Sequence, residues 1–180
     1  MVSGSDRTDE RMSEMIPLSR VNAMTTSLFV ECFGGIAEHS PWVAEAASAE
    51  RPFADLKAMI RSFDNAVRSA PRDLQLDLLR AHPDLAGRAR EMTADSSREQ
   101  KGAGLSALSP EEYGRFQVLN ETYRNRFGFP FIFAVRGATK HEILEAFQRR
   151  IAHSAETEFD TALRQVCAIL RFRLEDRVAP

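Results

Sequence analysis

Apolar residues recur at helical spacing along most of this chain, and Gly, Pro and capping residues mark the breaks between the runs. Val21, Met24, Leu28 and Cys32 predict a helix from about Ser19 to Phe33, ended by Gly34-Gly35. Ser40-Pro41 predicts the start of a short helix, with Ser40 as the N-cap and Pro41 in the first turn. Leu56, Met59, Ile60, Phe63 and Val67 give an amphipathic helix over Phe53 to Ala70. Pro71 opens another helix, carrying Leu74, Leu76, Leu78 and Leu79 to a break at His82-Pro83. A short helix is expected from Asp95 to Lys101. Ser109-Pro110-Glu111-Glu112 is a capping box before Phe116, Leu119 and Tyr123. Thr139 and Glu142 form a second box, opening a helix to about Ala152, and the last helix runs from about Ala155 to Asp176.

One stretch breaks the pattern. From Arg126 to Gly137 apolar residues are dense but not helically spaced, and Gly128 and Pro130 work against a helix. Phe129, Phe131, Ile132, Phe133 and Val135 are therefore expected to be extended and buried. Backbone groups in such a segment lack automatic partners, so they meet either neighbouring side chains or a ligand. There is no repeat, no low-complexity linker and no alternating strand pattern of useful length. The expected architecture is all-α: a single-domain multi-helix bundle with one buried extended segment, preceded by a disordered tail over 1–16 and spanning 17–180.

Composition changes this picture little. At 180 residues, 43% hydrophobic and 28% charged, the chain is long enough for one substantial core. A net charge of −2 argues for neither nucleic acid nor an anionic membrane surface as partner. Cys32 and Cys167 sit isolated in helical patterns, so a reducing compartment is the default. Met1 to Glu14 offer no apolar core for a signal peptide, and no run approaches the roughly 18 apolar residues of a membrane span. A cytoplasmic location is the expectation. His141-Glu142 lacks the second histidine of a zinc-protease helix, and no other metal spacing is present.

Three groups of residues could carry chemistry. His82 ends a helix and is pinned by Pro83, which restricts its backbone and so fixes the direction of its imidazole. A lone histidine is more often a surface or helix-capping residue, yet its ordinary pKa near ~6.5 suits proton transfer. Ser96, Glu99 and Gln100 share one helical face, either solvated or presenting a hydroxyl, a carboxylate and an amide together. Ala162, Val166, Ile169 and Arg173 step by four, three and four, which puts Arg173 on an apolar face. A charge there must meet a carboxylate or an anionic ligand.

The ordered segments His82-Pro83-Asp84-Leu85-Ala86-Gly87, then Ser96 through Leu105 with Glu99-Gln100, then Leu119 through Gly137 with its Phe-Gly-Phe-Pro-Phe run, resemble the OHCU decarboxylase family. Glu38-His39-Ser40-Pro41-Trp42 and Arg51-Pro52-Phe53 also resemble it, so the likeness spans roughly Leu18 to Val178. That resemblance implies decarboxylation of 2-oxo-4-hydroxy-4-carboxy-5-ureidoimidazoline (OHCU) to (S)-allantoin in urate oxidation, with no cofactor and no metal. It implies His82 and Glu99 as catalytic residues. It implies Pro83, Ser96, Gln100, the Ile132, Phe133, Ala134 and Val135 segment and Arg173 as substrate-binding residues, and a homodimer. His39 is a further candidate for the pocket, with capping beside Trp42 the competing role. A catalytically silent helical module and an enzyme for another ureido or hydantoin acid are the alternative readings.

Overall fold

The computed structural model describes residues 15–87 and 93–180. Among them, nine helices and one pair of very short strands follow in the order β1 (Ile16–Pro17), α1 (Leu18–Asn22), α2 (Thr26–Phe33), α3 (Trp42–Ser48), α4 (Leu56–Ser69), α5 (Arg72–Arg80), α6 (Ala94–Gly102), α7 (Pro110–Phe127), α8 (Lys140–Ile151), α9 (Ala155–Arg177) and β2 (Val178–Ala179). The long α9 packs on α4, α5 and α7 and buries Phe159, Ala162, Val166, Ile169 and Leu170, the face its spacing predicts. Around α2 to α4 the aromatic core is Phe29, Phe33, Phe53 and Phe63, with the tilted rings of Phe29 and Phe33 4.9 Å apart. Burying each such ring contributes about 1.5–3 kcal/mol relative to leaving it in water.

Both predicted capping boxes are present, Ser109 with Glu112 opening α7 and Thr139 with Glu142 opening α8. Gly128 ends α7 in the left-handed region at φ 78°, where a Cβ would be strained.

Other expectations need correction. The helix expected over 19–33 is two, because Thr25 caps α2 by accepting the Leu28 N–H at 3.2 Å. Asn22 meanwhile exchanges two hydrogen bonds with the Phe53 backbone, at 2.9 and 2.8 Å. Phe53 is thereby held outside α4, which starts at Leu56 with Asp55 as its cap. Ser40 does not cap α3; its hydroxyl donates to the Glu38 carbonyl at 2.9 Å, and Pro41 takes the cap position. Of the expected tail, 1–14 lie outside the described residues, while Ile16 pairs in parallel with Val178.

Residues 129–135 are neither helix nor strand. Phe129, Phe131, Ile132 and Val135 are buried as expected, whereas Phe133 is half-buried. Gly128 releases the chain from α7, and the segment then crosses the core to reach α8.

Candidate active site

The end of α5 delivers His82. Its backbone N–H donates to the Leu79 carbonyl, and its Nδ1 lies 2.8 Å from the Leu78 carbonyl. A carbonyl can only accept, so Nδ1 carries the proton and Nε2 presents a bare lone pair. Nε2 is buried and has no hydrogen-bond partner among the described residues. Burial pushes the imidazole down to about 4. The Leu78 carbonyl and Glu38 pull it partly back, and Arg173 adds to the lowering. The result is an imidazole that stays neutral at ordinary pH, with its free lone pair oriented by the chain.

The loop after His82 is held by α6 and α7. Gln100 Oε1 accepts the Ala86 N–H at 2.8 Å, and its Nε2 donates to the Asp84 carbonyl at 3.1 Å. Asn120 Nδ2 donates to the Leu85 carbonyl at 2.8 Å. These bonds secure Ala86 at φ 56°, a left-handed conformation that a Cβ disfavours. The Gln100 amide thus reaches the cleft wall but spends both its ends on this loop.

A charged cluster surrounds Arg173, whose side chain is 3% exposed. Its Nε and Nη2 grip Glu99 at 2.7 and 2.9 Å, Nη2 also donates to Glu38 Oε1 at 2.9 Å, and Nη1 donates to the Ile36 carbonyl at 3.0 Å. The sequence left a carboxylate or an anionic ligand open for Arg173; it meets two carboxylates. The Glu38 Oε1 further accepts from the Ser96 hydroxyl and, at 3.1 Å, from Thr93. Burial opposes ionisation of Glu38, but Ser96 and Arg173 outweigh it and hold its carboxyl below the usual range. For Arg173, too, burial works against the charge, and Glu99 and Glu38 more than restore it.

His82, Pro83, Ser96, Glu99, Gln100 and Arg173 come together on one narrow cleft of about 30 Å³, with Phe131, Ile132, Phe133 and Val135 as its apolar wall and Leu85 and Ile169 closing it. Glu99 and Arg173 also line an adjoining groove of about 510 Å³. Ala134 does not line the cleft; its N–H donates to Gln165 Oε1 at 2.8 Å. His39 is exposed, at φ 45°, and stays outside the cleft.

Glu38 is the residue that sequence reasoning missed. It follows Ile36-Ala37 in a loop, where no periodicity reports burial, so only its place in the Glu38-to-Trp42 segment could have pointed to it.

A base beside a guanidinium–carboxylate pair, under an apolar wall, suits proton transfer on a small polar anion. The family model for OHCU decarboxylase matches residues 22–175. The chain belongs to the OHCU decarboxylase family. It is 49% identical over 162 residues to the 2-oxo-4-hydroxy-4-carboxy-5-ureidoimidazoline decarboxylase of Haloferax volcanii, covering 90% of this chain and 96% of that one. Against the uric acid degradation bifunctional protein PucL of Bacillus subtilis it is 45% identical over 162 residues, 90% of this chain but 33% of PucL. A solved (S)-allantoin synthase superposes with a TM-score of 0.75 at 33% identity, over 91% of this chain and 54% of that one. Membership in the OHCU decarboxylase family makes the chain an enzyme of the carboxy-lyase class, with relatives in uric acid degradation. No helix among the described residues is long and apolar enough to cross a membrane.

Proposed function

We propose that this chain removes carbon dioxide from OHCU and delivers (S)-allantoin, with His82 as the base. The observation that carries this reading is the His82 imidazole: its tautomer is set by Leu78, its Nε2 is buried without a partner among the described residues, and the residue lines a cleft shared with Arg173 and Glu99. OHCU bears a carboxylate on a hydroxyl-bearing ring carbon beside a C=N bond. His82 Nε2 takes the hydroxyl proton as the bond to the carboxylate breaks, and the released electron pair enters the neighbouring C=N. The substrate is its own electron sink, so the reaction asks the protein for proton transfer and positioning. Two protons then complete the product, one on the ring nitrogen that received the electron pair and one on a single face of the ring carbon, giving one enantiomer. The His82 imidazolium returns one of them and solvent supplies the other. Glu99 holds ureido or ring N–H groups, and Arg173 fixes an anionic or carbonyl oxygen. The apolar wall of Phe131, Ile132 and Val135 keeps water from the reacting carbon.

Freshly generated OHCU should disappear faster with the protein than by its spontaneous decay, releasing one carbon dioxide per molecule. A decay rate equal to that of buffer would sink the assignment.

The state of His82 sets the pH dependence. Its pKa is lowered from 6.5 to about 4, so the free base persists as the pH falls through 6.5. The kcat/KM profile of the free enzyme should accordingly show no acid limb at 6.5 from this group, and should fall only as the pH nears about 4. The unfolded chain takes up this proton below 6.5 while the fold resists it until about 4, so stability declines as pH falls through that window. An acid limb centred at 6.5 that disappears in His82→Asn would show the imidazole to be solvated.

The enzyme is expected to be a homodimer acting in the cytoplasm. Light scattering at micromolar concentration should give twice the 20.2 kDa chain mass, and a monomer mass would refute the dimer.

A further inference from the structure

A second buried charged cluster lies outside the cleft and is unused by the mechanism above. Arg150, on α8, is 3% exposed, and Glu158, on α9, is fully buried. Arg150 Nε and Nη2 donate to Glu158 Oε1 at 2.8 and 2.5 Å. The Tyr123 hydroxyl donates to the same oxygen, and His153 Nδ1 lies 2.8 Å from Oε2. The remaining arm of Arg150 reaches the active-site wall: Nη1 donates to the Ile132 carbonyl at 2.7 Å. Its guanidinium also lies over the Phe131 ring, 4.4 Å from the centroid. Phe131 and Ile132 both line the cleft, and Arg150 does not.

The wall needs such a support. Residues 129–135 form no helix or strand, so neither kind of ladder fixes their backbone. Two side chains anchor it from behind, Arg150 at the Ile132 carbonyl and Gln165 at the Ala134 N–H. A buried ion pair is a weak source of net stability, because desolvation offsets much of the attraction. What the planar fork supplies is direction. It holds one carbonyl, one aromatic face and one carboxylate in a fixed mutual geometry, which a lysine cannot reproduce.

We propose that Arg150, oriented by Glu158, is a positioning residue for the reaction. It sets the place of the Phe131–Ile132 wall against which the substrate is held. This rests on the reading under Proposed function.

The test uses the full-length protein and three variants. Arg150→Lys keeps a positive charge beside Glu158 but loses the fork that reaches Ile132. Tyr123→Phe removes one donor from Glu158 while keeping its ring and leaving the Ile132 bond intact. Gln165→Leu loosens the same wall at Ala134 without disturbing a buried ion pair. For each, Tm, the kcat and KM on freshly generated OHCU, and the Kd for (S)-allantoin by calorimetry are measured.

Arg150→Lys and Gln165→Leu should raise KM and Kd together by about 10-fold or more, since small misplacements of the positioning surface carry costs up to about 10²-fold. Tyr123→Phe should lower Tm and leave KM and Kd unchanged. If Arg150→Lys lowers Tm but leaves both constants at wild-type values, the pair is only structural and the proposal fails. Should Arg150→Lys not fold, a folded Gln165→Leu with wild-type constants overturns it as well. A wild-type protein inert on OHCU overturns the functional reading and this proposal with it, whereas an active wild type with unmoved variants overturns the proposal alone.

Discussion

Replacing His82 by Asn is expected to lower kcat by about 10²–10⁴-fold, the usual contribution of a positioned general acid or base. Asparagine keeps a comparable size and can still donate to the Leu78 carbonyl, so the end of α5 and the turn into Pro83 should survive. It cannot accept a proton near neutral pH. (S)-Allantoin affinity should change far less than turnover, because Arg173, Glu99 and the apolar wall remain. A folded His82→Asn protein turning over at the wild-type rate would remove the imidazole from the mechanism. A variant that does not fold would show His82 to be needed for the fold itself, through the packing of its buried ring.

The second large effect is expected at Arg173→Met, and it falls on stability as well as activity. Two carboxylates share this guanidinium, and they differ in their access to water. The Glu38 side chain is 1% exposed, whereas that of Glu99 is 23% exposed. With Arg173 gone, Glu99 can turn to solvent, but Glu38 is left with only the Ser96 and Thr93 hydroxyls. Breaking a buried pair from one side costs about 3–5 kcal/mol. At about 2–4 °C per kcal/mol for a chain of this size, Tm should fall by about 6–20 °C. The loss should shrink at lower pH, because a Glu38 without its counter-ion takes up a proton in the fold more readily than in the unfolded chain. Glu99→Gln provides the comparison. It should weaken substrate binding with little change in Tm, since Glu38 still neutralises Arg173. An Arg173→Met protein melting at the wild-type temperature would contradict the paired-charge account of the cluster.

Much of this was legible from spacing. Arg173 shares a face with Ala162, Val166 and Ile169, and that alone required a buried partner; the structure supplies Glu99 from α6 and Glu38 from the loop before α3. Helix starts were readable wherever a side-chain oxygen and a glutamate lay three apart, as at Ser109 and Thr139. They were misread where a side chain had a tertiary partner instead. Ser40 bonds the Glu38 carbonyl, and Asn22 ties Phe53 out of α4. Both are contacts that local propensity does not encode.

The same spacing argument would have found Arg150. Ile143, Phe147 and Arg150 step by four and three, and Glu158 lies four before Ala162 on the apolar face of α9. Glu38 offered no such signal, because loop residues carry no period. The extended segment was foreseen from Gly128 and Pro130, but its anchoring was not. Of its polar backbone groups, the Ile132 carbonyl and the Ala134 N–H turn to Arg150 and Gln165 rather than to the cleft.

The most direct measurement is the optical activity of the product. Circular dichroism followed while the purified protein acts on freshly generated OHCU should show allantoin forming faster than the spontaneous rate and as the (S) enantiomer alone. Allantoin that appears only at the spontaneous rate, and as a racemate, would contradict the assignment.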